Sequence, residues 1–93
     1  MSEKKIANPE LITCEIQDLE GNTKKLEGVR ITKKNSAAYM KMEEEARDLP
    51  IEDQLPFQMS WIYGGQPSDY ENYDIRVLRA AVNYFGEQLR NPI

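Results

Sequence analysis

The chain has 93 residues, 40% of them hydrophobic and 30% charged, with a formal net charge of −4. That is the size of one domain, 1–93, with enough apolar material for a core, and a mean hydropathy of −0.70 describes a wet surface, not a membrane span. The absence of histidine and a single cysteine, Cys14, remove most side chains from which metal sites, triads and acid–base pairs are built, so composition argues against an enzyme.

Charge divides along the chain. Residues 1–34 carry seven Lys/Arg and six Asp/Glu, net +1, whereas residues 35–93 carry five and ten, net −5. Lys24, Lys25, Arg30, Lys33 and Lys34 are scattered beside Glu20 and Glu27, which reads as solvated strand charge and not as the basic stripe of a nucleic-acid binder. The charged start, Met1-Ser-Glu-Lys-Lys, is not followed by an apolar stretch of signal-peptide length, so a cytoplasmic location is expected, and a lone cysteine agrees with it.

Residues 1–10 read as a flexible lead. The segment Leu11–Asp18 then alternates, with Ile12, Cys14 and Ile16 on one face, as a half-buried strand does. Leu19-Glu-Gly-Asn22 supplies a turn, Gly21 taking the positive φ that a short hairpin loop requires. A second strand is expected over residues 23–31. Its parity breaks between Leu26 and the pair Val29 and Ile31, which predicts a bulge at Gly28. The β-hairpin thus covers residues 11–31, and a lone hairpin is marginal in water, so it must lean on the helices that come after it.

Residues 35–91 read as the helical part. Ala37–Leu49 is dense in helix formers, with Asn35 or Ser36 as N-cap, and Tyr39, Met42, Ala46 and Leu49 make one apolar stripe. Glu43-Glu44-Glu45 lies mostly off that stripe, as a wet helix face or an acidic docking surface. Pro50 is expected to stop the helix, Ile51–Leu55 to form a link, and a short second helix to begin near Pro56 and end at Gly64-Gly65. On it Leu55, Met59 and Ile62 share one face and Phe57 and Trp61 an adjacent one. Either this helix is central to the core or Phe57 and Trp61 are left for a partner.

Gln66–Asp74 predicts an irregular helical turn, with capping-box spacing between Ser68 and Glu71 and a second cap at Asn72 or Asp74. From Asp74 to Arg90, Ile75, Leu78, Val82, Phe85 and Leu89 keep helical spacing, widened by Val77, Ala81 and Tyr84, and form the longest helix, stopped by Asn91-Pro92. Gly86 within it marks close backbone contact or an early end. The fold class is α+β, mainly helical: an N-terminal β-hairpin followed by three helices, the last the longest.

Chemistry-bearing motifs are sparse. Gly64-Gly65 is followed by Gln-Pro-Ser-Asp without a nearby basic residue, so a phosphate loop is not expected, and Ser68–Asp74 lacks the central Gly and terminal Glu of a calcium loop. No cofactor is implied. Aromatic residues remain: Phe57, Trp61, Tyr63, Tyr70 and Tyr73 either cover the core of a small domain or form a protein-binding hot spot.

The segment Phe57–Phe85, with its short helix, Tyr63-Gly-Gly junction, Pro67-Ser-Asp-Tyr70 turn, second cap and amphipathic helix, resembles the C-terminal half of small tail assembly chaperones of long-tailed (siphovirus-type) bacteriophages and prophages. The likeness covers about a third of the chain and rests on caps and apolar spacing; the N-terminal hairpin departs from it. It implies a non-enzymatic cytoplasmic protein of the host cell that binds the tape measure protein during tail tube assembly and self-associates. The alternatives are a small head or tail completion protein, or an acidic protein-binding adaptor. Neither nucleic acid nor membrane is expected as a partner.

Overall fold

A computed structural model describes residues 4–90. Two antiparallel strands, β1 (Thr13–Gln17) and β2 (Thr23–Glu27), precede α1 (Ser36–Arg47), α2 (Ile51–Tyr63), a 3₁₀ turn (Pro67–Tyr70) and α3 (Ile75–Arg90), the longest element. The chain is therefore α+β with helix dominant, as alternation and spacing predict. Residues 4–12 form neither strand nor helix. The first three residues of the lead and the stop at Asn91-Pro92 lie outside the described residues.

Parity sets the hairpin. Cys14 stands opposite Leu26 and Ile16 opposite Lys24, and Ile16 and Leu26 are buried on the inner face. Gly21 has φ +91°, and Asp18 completes the turn, its carboxylate accepting from the Glu20 and Asn22 amides at 2.9 and 2.8 Å. The second strand is shorter than its expected span of 23–31. Gly28 N–H still donates to Ile12 O at 2.7 Å, but Val29 N–H turns to Ile62 O at 2.8 Å, so β2 ends at Glu27. The parity break marks the chain leaving the sheet for α2 and not a bulge within the strand.

Asn35 precedes α1 yet does not cap it with its side chain. Its Oδ1 accepts from Thr32 N–H and its Nδ2 donates to Arg30 O, each at 2.7 Å, which closes the connecting loop. Met42 and Ala46 are buried along the predicted stripe, with Tyr39 and Leu49 half-buried.

The start of α2 requires a correction. Residues 51–55 are not a link: α2 begins at Ile51 with Pro50 before it, and Pro56 lies inside the helix. Proline in a helix interior removes one i→i−4 hydrogen bond and is unfavourable by ~3 kcal/mol. Glu52 and Asp53 in the first turn oppose part of that, since carboxylates suit the positive end of a helix by ~0.3–1 kcal/mol each. Burial supplies the rest: Met59 and Ile62 are at most 1% exposed, and such side chains contribute ~1.5–3 kcal/mol apiece.

The core has two clusters. Ile16, Leu26, Met59, Tyr70, Leu78 and Ala81 join the hairpin to α2, the 3₁₀ turn and α3. Met42, Ile62 and Phe85 join α1, α2 and α3, with Ile31, Tyr39, Phe57 and Trp61 packed around them. Both α2 and α3 contribute to the two clusters, and α2, packed against α1, α3 and the 3₁₀ turn, is the central helix. No described helix is long and apolar enough to cross a membrane.

Candidate protein-binding surface

The five aromatic candidates do not form one surface. Tyr70 is 1% exposed, its hydroxyl donating to Gly64 O, its ring near Tyr73 and below the Lys24 ammonium, 5.9 Å from the centroid. Tyr63 reaches across to α3, donating to Ala81 O at 2.7 Å and packing edge-on against Phe85. Burial pushes the Tyr63, Tyr70 and Tyr73 hydroxyls above the ordinary tyrosine range. Phe57 and Trp61 belong to the second cluster, Trp61 half-buried against Tyr39 with ring centroids 5.6 Å apart. Tyr63 is a cross-brace, Tyr70 a core residue that also lines a concave surface together with the more exposed Tyr73, whereas Trp61 and Phe57 pack against the second cluster.

That concave surface is a groove of about 360 Å³ between the start of α2 and the segment from the 3₁₀ turn to α3. From α2 come Glu52, Asp53 and Pro56; Glu71 and Tyr73 face them, and Ile75 closes one end, with Tyr70 beneath. The opposite wall is held in place locally. Gly64 and Gly65 take φ +88° and +82°, Gln66 N–H donates to Asp69 Oδ2 at 2.8 Å, and Asp74 Oδ1 accepts from Arg76 N–H at 2.8 Å to open α3. The capping box therefore pairs Gln66 with Asp69 and not Ser68 with Glu71, and Asp74, not Asn72, starts the last helix.

The floor, Tyr70 and Leu78, is buried, and the rim, with Glu52, Asp53, Glu71 and Ile75, is exposed. Ile75 is 41% exposed, and Ile51, beside Glu52, is 74% exposed. Asp74 is ion-paired with Arg76 at 2.8 Å, whereas no described cation pairs with Glu52, Asp53 or Glu71. Pro56 carries no N–H, so the Glu52 carbonyl lacks its usual helical donor. Spacing alone puts Glu52 and Asp53 in an acidic stretch, Glu43–Asp53, open to an adaptor's partner but within a link, and Ile75 on the apolar stripe of the last helix; acidic residues just after Pro50 are the signal that α2 starts at Ile51.

A second groove, of about 340 Å³, lies between β1 and α3 and includes Cys14, Ile16, Val77 and Tyr84. Hydrogen bonds at Ile12–Gly28 and Asp18–Asn22 make the even-numbered residues of β1 the bonded pairs, so Thr13, Glu15 and Gln17 aim their backbone groups outward. Exposed Glu15 guards that edge, as charge on an edge strand does. Among the described residues no group of three or more His, Cys, Asp or Glu is placed to hold a metal ion.

Comparison of the chain with protein-family models, curated proteins and solved structures gave no match.

Proposed function

We propose that this chain is a non-enzymatic assembly factor that works by binding another protein, and that it acts as a tail assembly chaperone for the tape measure protein of a long-tailed bacteriophage. The observation that carries the binding reading is the groove beside α2, whose apolar floor and unpaired carboxylates suit a protein segment better than a reacting small molecule. Support for the phage reading is the resemblance of residues 57–85, the stretch that supplies most of α2, the Gly64–Asp74 connection and most of α3. Exposed apolar side chains give affinity, and a net charge of −4 keeps the free protein soluble in the host cytoplasm.

Co-expression with the tape measure protein of the same phage tests the reading. The expected result is co-purification and a soluble tape measure protein; failure of both overturns it. Mass spectrometry of finished virions separates a chaperone, which is absent from them, from a completion protein, which is present in fixed number.

A further inference from the structure

The groove between α2 and the Gly64–Asp74 connection combines exposed hydrocarbon with carboxylates on two facing walls, a pairing that selects a partner of definite chemistry. We propose that this groove docks an amphipathic helix of the partner that carries large apolar side chains on one face and Lys or Arg beside them. The proposal deepens the binding reading above and rests on its premise that the partner is another protein chain.

Charge specifies the cationic half of the occupant. Glu52 and Asp53 stand on one wall and Glu71 on the other, none with a paired cation among the described residues. The positive ends of α2 and of α3, whose first residue Ile75 lines the groove, offset about one elementary charge between them, against three carboxylates, so the groove remains negative. An acidic or phosphorylated segment would meet repulsion on both walls.

Apolar lining specifies the other half. Pro56, Tyr73 and Ile75 offer hydrocarbon around a space of about 360 Å³, room for apolar anchor side chains but near the lower end of the ~300–1,000 Å³ typical of ligand pockets. The walls also decide backbone conformation. They are built from helices and a 3₁₀ turn and present no strand edge, so an extended segment entering here would leave its amide groups without partners. A helix satisfies its own backbone and brings i, i+3 and i+4 side chains to one face.

Two synthetic helical peptides with identical apolar positions, one flanked by lysines and one by glutamates, test the proposal by fluorescence anisotropy against the full chain. The lysine peptide is expected to bind at least tenfold more tightly, with the advantage shrinking as salt is raised from 50 to 500 mM. The double variant E52Q/E71Q is expected to weaken it by about three- to tenfold, and Ile75→Ser by about fivefold, with circular dichroism unchanged. Glutamine keeps side-chain length, so the pair changes charge with little change of packing. Equal binding of the two peptides, or full affinity in E52Q/E71Q, overturns the proposal, as does an NMR footprint on β1 and the face of α3 beside it. If the tape measure protein binds E52Q/E71Q as well as the native chain, the assembly reading stands and this site falls. If the lysine peptide binds in the groove and the tape measure protein does not bind at all, the site stands and the phage reading falls.

Discussion

Gly28 and Phe85 are in direct contact across the core: a Cβ at Gly28 would stand 2.5 Å from Phe85 Cε1 and 2.7 Å from Cδ1, closer than carbon atoms approach. Phe85 is fully buried in the second cluster and contacts Tyr39 and Tyr63, so its ring has little room to retreat. The glycine is needed here for space and not for a left-handed backbone. Gly28→Ala is therefore expected to destabilise the protein by ~1–3 kcal/mol, and Phe85→Ala by ~3–5 kcal/mol. In the double variant G28A/F85L the loss should fall below the sum of the single losses, because the smaller side chain vacates the contested volume. Urea unfolding of the native chain, G28A, F85L and the double variant measures the coupling, and strictly additive losses would refute the contact.

Gly86 behaves in the opposite way. It lies inside α3, and a Cβ there would come no nearer than 3.9 Å to Tyr39 Oη, an ordinary contact. Neither the close backbone contact nor the early helix end expected from sequence is found, since α3 continues to Arg90. Gly86→Ala should stabilise the protein by ~0.5–1 kcal/mol by reducing the freedom of the unfolded chain. A higher melting temperature is the expected readout, and a lower one would show that the position is tighter than 3.9 Å implies.

Asp74 gives the protein an acid limb. Hydrogen bonds from the Arg76 side chain, then from the Arg76 amide, lower its carboxyl from the ordinary 3.8 to about 2. A group held lower in the folded state contributes stability that is present above pH 3.8 and is lost as pH falls through about 2. Melting temperature is thus expected to decline between pH 4 and pH 2. Asp74→Asn, which can still cap α3 but carries no charge, should flatten part of that decline. An unchanged acid profile in Asp74→Asn would show that the pair does not contribute.

Trp61 separates packing from binding. Half-buried against Tyr39 on the α1 side of α2, it is neither a fully enclosed core residue nor a free surface one. Trp61→Ala is expected to cost about 2 kcal/mol, below the ~3–5 kcal/mol of a fully buried aromatic, and to leave the chain folded. Because Trp61 is not part of the groove, affinity for the lysine peptide should stay within about twofold. A loss of binding at unchanged stability would move the partner site to the α1 side.

Sequence alone made the hairpin legible through the alternation of Ile12, Cys14 and Ile16, and made α3 legible through the spacing of Leu78, Val82, Phe85 and Leu89. Both patterns have a period that only one backbone conformation satisfies. Pro56 was misleading because propensity favours proline at a helix start, whereas burial of Met59 and Ile62 outweighs a proline one turn inside. Of the groove's lining, Tyr70 and Tyr73 were legible as aromatic candidates and Glu52 and Asp53 only as part of an acidic stretch. Tyr63 and Tyr70 share the amphipathic character of Tyr73, yet their hydroxyls are committed to the Ala81 and Gly64 carbonyls, contacts made at or after the chain turns at Gly64-Gly65 and invisible in local spacing. Glu52 and Glu71 come together only once α2 and the 3₁₀ turn have docked.

The hairpin tip is tied to the connection that leads into α3: Leu19 N–H donates to Asn72 O at 3.2 Å, Asn72 Nδ2 to Glu20 Oε1 at 3.3 Å, and β1 lies against α3. A two-stranded hairpin is marginal by itself, so β1 and β2 must wait for α3, which lies nearly fifty residues further along the chain than β2 (Thr23–Glu27 against Ile75–Arg90). Until α3 is released, Ile16 and Leu26 have only a partial apolar cover, and the nascent chain remains open to capture by holdases or proteases. Folding of the hairpin onto the helices is therefore expected to be nearly all-or-none, and its vulnerable interval during synthesis is set by the time taken to translate from Gln17 to Phe85.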